Sequence, residues 1–408
     1  MTTSFDRRRL HVLLLEGIHP SAGEVFRRAG YDAVETVAGT VPEDELIARL
    51  ADVHFLGIRS RTQLTARVFA HAPRLVAVGA FCIGTNQIDL AAATRAGVAV
   101  FNAPYSNTRS VAELVLAEAV LLLREVPAKS AAAHRGGWAK SVGRAREIRG
   151  KTLGIVGYGN IGAQLSVLAE ALGMRVLFHD TAAKLPLGNA AAADSLLDLL
   201  AASDVVSLHV PETPDTAGLL GARELGAMKD DAVLINASRG TVVDLDALAD
   251  VLRTGRLAGA AVDVFPEEPR SNDEAFESPL RGLDHVILTP HVGGSTVEAQ
   301  AGIGAEVAGK LVRYSDNGST ATSVNFPEVS LPPHPGCHRI LHVHENVPGV
   351  LAAVNGVFSA LGVNVDAQFL QTRGDVGYVV TDVNCEASDE ALAALRTVPG
   401  TLRARVLY

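Results

Sequence analysis

The chain is poor in sulfur: it has three cysteines in 408 residues, Cys82, Cys337 and Cys385, far apart and in no CxxC pair. An odd, scattered set argues against a disulfide framework or a zinc site and for a reducing compartment, so no metal is expected. Long uncharged runs are also missing. The most apolar helical stretch, residues 111–126, carries Glu113, Glu118, Arg124 and Glu125, whereas a membrane span needs about 20 residues almost free of charge. Arg7, Arg8 and Arg9 precede an apolar run, but Glu16 interrupts it and no small-residue cleavage site follows, which argues against a signal peptide. There is no excess of positive charge. At a net charge of −9 the chain has no general attraction for nucleic acid or anionic lipid, so any anion site must be local. These absences predict a cytoplasmic protein with neither nucleic acid nor membrane as partner. Repeats and low-complexity tracts are lacking too. What is present is average for a globular chain, and the length, at about 150 residues per domain, predicts two or three domains.

Short apolar runs at 11–15, 53–58, 75–78 and 98–101, spaced by helix-length segments, predict a parallel sheet flanked by helices. A long helix from about Thr108 leads to a second series of strands at 153–156, 175–179, 205–210, 232–236, 260–264 and 286–288, a doubly wound set. Ser295 and Glu298 then form a Ser-x-x-Glu capping box for a helix through about Arg313, which returns the chain to the first domain. Residues 315–337 are rich in Ser, Asn, Thr and Pro, lack an apolar period and read as a linker. Beyond them a strand at 339–344, a helix at 348–361, strands at 363–370 and 377–383, a helix at 389–398 and a strand at 402–407 follow the βαββαβ ferredoxin-like order. The expected fold class is α/β, with two doubly wound parallel-sheet domains plus a ferredoxin-like tail. The expected boundaries are residues 1–107 with 297–330 for a discontinuous substrate domain, 108–296 for a nucleotide domain and 338–408 for the tail.

Gly157-x-Gly159-x-x-Gly162 directly follows a strand and opens a helix. Those glycines allow a tight turn and close approach of the backbone to a pyrophosphate, which the helix N-terminus attracts. The next strand ends at Asp180, about 20 residues on, where a carboxylate bonds ribose hydroxyls. Asp180 repels a 2′-phosphate and is followed by Thr181 rather than arginine, so NAD is expected over NADP.

Oxidising an alcohol beside a carboxylate requires an anion clamp, a proton acceptor and a group that keeps the acceptor basic. Arg239 in Asn236-Ala-Ser-Arg239-Gly240, His291 in Thr289-Pro290-His291 and Glu268 before Pro269 each follow a strand end, the edge of an open α/β sheet where ligands bind. A guanidinium grips a carboxylate bidentately, and an imidazole beside a carboxylate takes and returns a proton near neutrality. Taken singly, each has a plainer reading: a surface ion pair, a loop carboxylate, a loop cap. Arg59 and Arg61, flanking Ser60 after a strand, are candidates for binding carboxylate or phosphate. A second basic source is the run 135–151, where Arg135, Lys140, Arg144, Arg146, Arg149 and Lys151 face only Glu147. It reads either as a solvated face or as a set reaching a neighbouring subunit's phosphate pocket. Trp138, the one tryptophan, is a candidate subunit anchor within it.

Together, GYGNIG, NASRG, DVFPEEP and TPHVGGST resemble the D-isomer-specific 2-hydroxy-acid dehydrogenase family over nearly the whole chain. The GIRSR segment at 57–61, FCIGTNQID at 81–89 and the tail resemble its branch acting on 3-phosphoglycerate. The resemblance implies Arg239, Glu268 and His291 as catalytic residues. It implies NAD contacts at Gly157, Gly159, Asn160, Ile161, Gly162, Asp180, Ala237, Ser238, Arg239, Asp263, His291, Val292, Gly293 and Gly294, and substrate contacts at Arg59, Ser60, Arg61 and Asn107. The tail resembles ACT regulatory domains, in which His344, Asn346 and Asn364 look like an L-serine effector site, against a plainer reading as turn caps. Val347 stands where close relatives often carry arginine. Further implications are a homotetramer and oxidation of 3-phospho-D-glycerate at the start of L-serine biosynthesis. Reduction of another 2-oxo acid (2-oxoglutarate, hydroxypyruvate, glyoxylate) and a non-catalytic NAD-sensing scaffold are the alternatives.

Overall fold

Alternation of buried side chains builds the first sheet. In the computed structural model, which describes residues 7–269, 273–334, 338–383 and 388–407, strands β1 (Val12–Leu14), β2 (Val34–Thr36), β3 (Phe55–Ile58), β4 (Ala77–Ala80) and β5 (Ala99–Phe101) pair in parallel in the order β2-β1-β3-β4-β5. Along β1, Val12 and Leu14 enter one core and Leu13 and Leu15 the other, as period-two side chains must in a sheet covered on both faces. Gly79 admits the helix Val297–Asn317 against the sheet, since a Cβ there would come within 2.6 Å of Val307. β2 was not expected; it is an edge strand whose side chains are half-buried or exposed, so it carries no apolar signal.

The chain divides into two compact units, Met1–Ser106 with Gln300–Tyr408, and Asn107–Ala299. The second unit holds β6 (Thr152–Val156), β7 (Arg175–His179), β8 (Ala191–Ala192), β9 (Val205–Leu208), β10 (Val233–Asn236), β11 (Gly259–Val262) and β12 (Val286–Leu288). They form one seven-stranded sheet in the order β12-β11-β10-β9-β6-β7-β8, a doubly wound Rossmann arrangement whose switch point lies between β6 and β9.

The tail forms β13 (His338–Glu345), β14 (Val365–Arg373), β15 (Val376–Val383) and β16 (Thr401–Leu407), an antiparallel sheet in the order β14-β15-β13-β16 with helices at Val350–Ala360 and Ser388–Leu395. This is the expected ferredoxin-like topology. Leu341 and Val343 of β13 join the core that also holds Phe101, Tyr314 and Phe326, so the tail sheet packs within the first unit.

Two local expectations are corrected. Thr296, not Ser295, caps the returning helix, its hydroxyl accepting from Ala299 N–H at 3.2 Å, and the helix runs on to Asn317. The segment from 315 is no free linker. Asn325 Oδ1 accepts from Val100 N–H at 2.8 Å, Thr320 Oγ1 donates to Pro327 O at 2.6 Å, and Phe326 is fully buried. Side-chain bonds to backbone replace an apolar period there. Cys337 and Cys385 lie outside the described residues. Among the described residues no helix is long and apolar enough to cross a membrane, and no cluster of His, Cys, Asp or Glu is suited to a metal.

Candidate active site

At the β6 end the glycine turn is forced by close backbone. Gly157 has φ +92°, and a Cβ there would lie 2.5 Å from His209 O; one at Gly162 would lie 2.4 Å from Gly157 O. Above Gly159 a Cβ would meet nothing within 4 Å, so the outer face of the turn is open. The helix Asn160–Ala171 begins there without a side-chain cap, leaving its first N–H groups to an acceptor from outside. Asp180 lies at this turn: one carboxylate oxygen accepts from Tyr158 N–H and the other from Ala182 N–H, both at 2.9 Å. A turn that only glycine permits, an open helix N-terminus and a carboxylate beside them fit a dinucleotide. Gly157, Gly159, Asn160, Ile161, Gly162 and Asp180 form that turn and its surround, and they could hold one.

Three further strand ends supply the chemistry. After β10, Asn236 Oδ1 accepts from Ser238 N–H at 3.1 Å and from Ser238 Oγ at 2.8 Å, while its amide donates to Arg239 O at 3.0 Å, folding Ala237, Ser238 and Arg239 into a fixed turn. Gly240 then presses so closely on Phe265 that a Cβ would be 1.9 Å from its carbonyl carbon. Phe265 N–H donates to Glu268 Oε1 at 3.2 Å, so the same contact draws Arg239 and Glu268 into one neighbourhood. After β12, His291 takes a left-handed φ of +54°, uncommon for a residue with a side chain. Its Nδ1 lies 3.1 and 3.0 Å from Glu268 Oε1 and Oε2. The structure thus brings Arg239, Glu268 and His291 together.

Electrostatics follow from that geometry. The hydrogen bond to Glu268 raises the His291 imidazole above its ordinary range, against burial and the repulsion of Arg239. Burial pushes the Glu268 carboxyl up, but the bond to His291, with Phe265 N–H and Arg239, outweighs it and holds the group low. An ionised carboxylate only accepts, which assigns the proton to Nδ1 and leaves Nε2 as the basic atom.

Of two buried acidic residues here, Asp263 supports this cluster and Glu118 lies near Asp263, and neither placement was read from the sequence. Asp263 accepts from Thr289 Oγ1 at 2.6 Å, Val292 N–H at 2.8 Å and Gly293 N–H at 2.8 Å, so it pins the loop bearing His291, Val292, Gly293 and Gly294. Glu118, in the helix Thr108–Leu123, is 2% exposed, with no hydrogen-bond partner for either oxygen among the described residues. Burial, with Asp263 nearby, pushes it up to about 8. Its only sequence signal was a charge in an apolar helix face. Asn107 precedes that helix beside Gly294, its buried Oδ1 without a hydrogen-bond partner among the described residues.

The remaining expected residues are dispersed. Arg59, Ser60 and Arg61 follow β3 in the first unit. Of the basic run, Arg135 pairs with Asp284, Arg144 and Arg146 with Asp231, and Arg149 with Glu147; among the described residues Lys140 and Lys151 have no ion-pair partner. Trp138 is 87% exposed. In the tail, His344 is buried, its ring against Gly377 and 3.2 Å from His342 Nδ1. Asn346 and Asn364 are exposed and bond to Gly374 O and Asp366. No hydrogen bond joins those three among the described residues.

This fold and cluster define a nicotinamide-dependent dehydrogenase, and comparison with known proteins agrees. Residues 116–293 match the model of the NAD-binding domain of D-isomer-specific 2-hydroxyacid dehydrogenases, and residues 340–403 match an acetohydroxyacid-synthase-small-subunit-like ACT domain. The chain is 56% identical over 405 residues to D-3-phosphoglycerate dehydrogenase of Haemophilus influenzae, covering 99% of each. It is also 56% identical over 407 residues to the Escherichia coli K12 enzyme of that name, again covering 99% of each. Among solved structures, D-lactate dehydrogenase of Aquifex aeolicus with NAD and lactic acid aligns with a TM-score of 0.64 at 27% identity, covering 74% of this chain and 95% of that one. The chain belongs to the D-isomer-specific 2-hydroxyacid dehydrogenases and is an NAD-dependent oxidoreductase with a C-terminal ACT domain.

Proposed function

We propose that the chain oxidises 3-phospho-D-glycerate to 3-phosphohydroxypyruvate, the first step of L-serine biosynthesis, in the cytoplasm and under inhibition by L-serine. The observation that carries the reading is its full-length similarity to enzymes named for that substrate, combined with a guanidinium, a carboxylate and an imidazole at one sheet edge. Arg239 grips the substrate carboxylate through its planar fork. His291 Nε2 takes the hydroxyl proton, and Glu268 holds the ring and stabilises the imidazolium that forms. Bound NAD would supply the acceptor for the hydride that leaves the carbinol carbon. Arg59, Ser60, Arg61 and Asn107 are assigned to substrate binding.

The proposed domain division is 1–107 with 297–330 for substrate, 108–296 for NAD and 338–408 for the effector, with His344, Asn346 and Asn364 as the serine residues. We further propose a homotetramer. An exposed Trp138 supports an anchor role, and some of the basic residues of 135–151 are proposed to serve a neighbouring subunit's phosphate, Lys140 among them as an exposed residue without an ion-pair partner among the described residues. Initial rates of NADH formation with 3-phosphoglycerate and with unphosphorylated glycerate, each with and without L-serine, test the reading. Strong preference for the phosphorylated acid and saturable inhibition are expected; equal rates and indifference to serine would refute it.

A further inference from the structure

In the first sheet, the order β2-β1-β3-β4-β5 reverses between β1 and β3, and ligands of open α/β sheets bind beyond the carboxyl ends at such a point. Two segments occupy those ends here: Glu16, just after β1, and the turn Arg59-Ser60-Arg61-Thr62, just after β3. Glu16 is 9% exposed, and all the donors found for its carboxylate are backbone amides of that turn. Oε1 accepts from Arg59 N–H at 3.1 Å and Thr62 N–H at 2.9 Å, and Oε2 from Arg61 N–H at 3.0 Å. From the other side, Gln87 Nε2 donates to Arg59 O at 2.5 Å. Both peptide planes flanking Arg59 are therefore fixed.

A carboxylate so near two arginines would ordinarily pair with their guanidinia. This one is taken up by amides instead, and among the described residues neither Arg59 nor Arg61 has an ion-pair partner. Glu16 also adopts φ +61°, a conformation disfavoured for any residue with a side chain. A glycine would sit there without strain, and the three amide bonds to its carboxylate give the glutamate a task that a glycine could not perform.

We infer that Glu16 is a positioning residue for substrate: it shapes the 59–62 turn and leaves both guanidinia free for an anionic ligand. This rests on the assignment of Arg59, Ser60 and Arg61 to substrate binding. Two simpler roles predict different results. If Glu16 only lowered the local positive charge, removing its charge would tighten binding of a phosphorylated acid. A purely structural brace would reduce the amount of active enzyme, and so apparent kcat, at unchanged KM.

The test is steady-state kinetics of the full-length enzyme with 3-phosphoglycerate at saturating NAD, alongside NADH binding by fluorescence. Glu16→Gln is expected to raise KM for 3-phosphoglycerate by about tenfold or more, as misplaced binding groups do. Its kcat should change by less than about threefold and NADH affinity by less than about twofold, since that site lies on another sheet. Glu16→Gly removes the carboxylate while relieving the left-handed backbone, and it decides the matter if the glutamine variant folds poorly. An unchanged or lowered KM in the folded variant overturns the inference. Arg61→Ala is measured in parallel: if it leaves KM unchanged, the assignment of the turn to substrate fails, and the Glu16 inference with it. If Arg61→Ala raises KM while neither Glu16 variant does, the inference alone fails.

Discussion

His291 Nδ1 lies almost equidistant from the two carboxylate oxygens of Glu268, at 3.1 and 3.0 Å. One donor shared by two acceptors fixes the plane of the ring and keeps the imidazole more basic than usual. In the oxidative direction the neutral ring is the reactive form, so activity should rise with pH through a value above the ordinary imidazole range. Glu268→Gln removes the charge that sets it. The acid limb of kcat/KM should then move to lower pH, with kcat reduced because the base is weaker and less well oriented. A limb that stays in place would assign that titration to another group. His291→Ala should lower kcat by about 10² to 10⁴; a loss of less than about threefold would remove it as the base.

Asp180 holds the glycine turn through Tyr158 N–H, and on its proposed assignment to the NAD ribose it would also repel a 2′-phosphate. The parent enzyme should favour NAD over NADP by at least about tenfold in kcat/KM. Asp180→Ala should erase most of that preference, chiefly by weakening NAD, because the turn loosens as the ribose acceptor disappears. Paired assays with both cofactors check this; a variant that keeps its preference would place the discrimination elsewhere.

The sequence reading succeeded where burial is two-sided or backbone approach is close. Strands such as β3 and β4 are buried along their whole length and read as unbroken apolar runs, while Gly157 and Gly162 are glycine because no Cβ fits. It missed β2 and β8, edge strands that bury little and show no period. Charges inside apolar stretches were read only for what they exclude: Glu16 and Glu118 argued against a leader and a membrane span, yet Glu16 shapes a turn and Glu118 stands beside Asp263. Which backbone amides a carboxylate meets depends on contacts between distant strands, and one chain's text does not display them. His344 differs, because period two along β13 places it with Ile340 and His342 on the helix-facing side, where its burial was open to inference.

Buried titratable groups predict a stability window. For Glu118 the folded value, about 8, lies above its ordinary 4.5, so the folded state holds a proton that the unfolded state releases. Stability from this group is complete below the unfolded value and falls as pH rises from about 4.5 to 8. His54, His209 and His342 act in the opposite sense, since burial lowers each to about 4 from 6.5. Acid must charge them, and stability falls as pH drops through that interval. Thermal melts across pH should show Glu118→Gln more stable than the parent at pH 9, with the advantage gone near pH 4. Equal melts at pH 9 would mean that Glu118 ionises without penalty.

Arg339 and Asp382 form an ion pair with the arginine side chain 0% and the aspartate 9% exposed. Nε meets Oδ1 at 2.6 Å and Nη2 meets Oδ2 at 2.7 Å, a bidentate fork joining β13 to β15. The third nitrogen donates to Asn317 O at 3.0 Å and Pro332 O at 2.8 Å, so one guanidinium ties the tail sheet to the segment that leads into it. Asp382→Ala leaves a buried cation unpaired, and breaking such a pair destabilises by about 3–5 kcal/mol. Where a buried pair has no other duties, apolar replacement of both partners restores stability. Here Arg339→Met with Asp382→Leu would strand two buried carbonyls, each at a cost of about 1–3 kcal/mol. The double variant should therefore recover only part of the loss in urea denaturation. Full recovery would show that those carbonyls find water, and that the arginine is not what holds the segment in place.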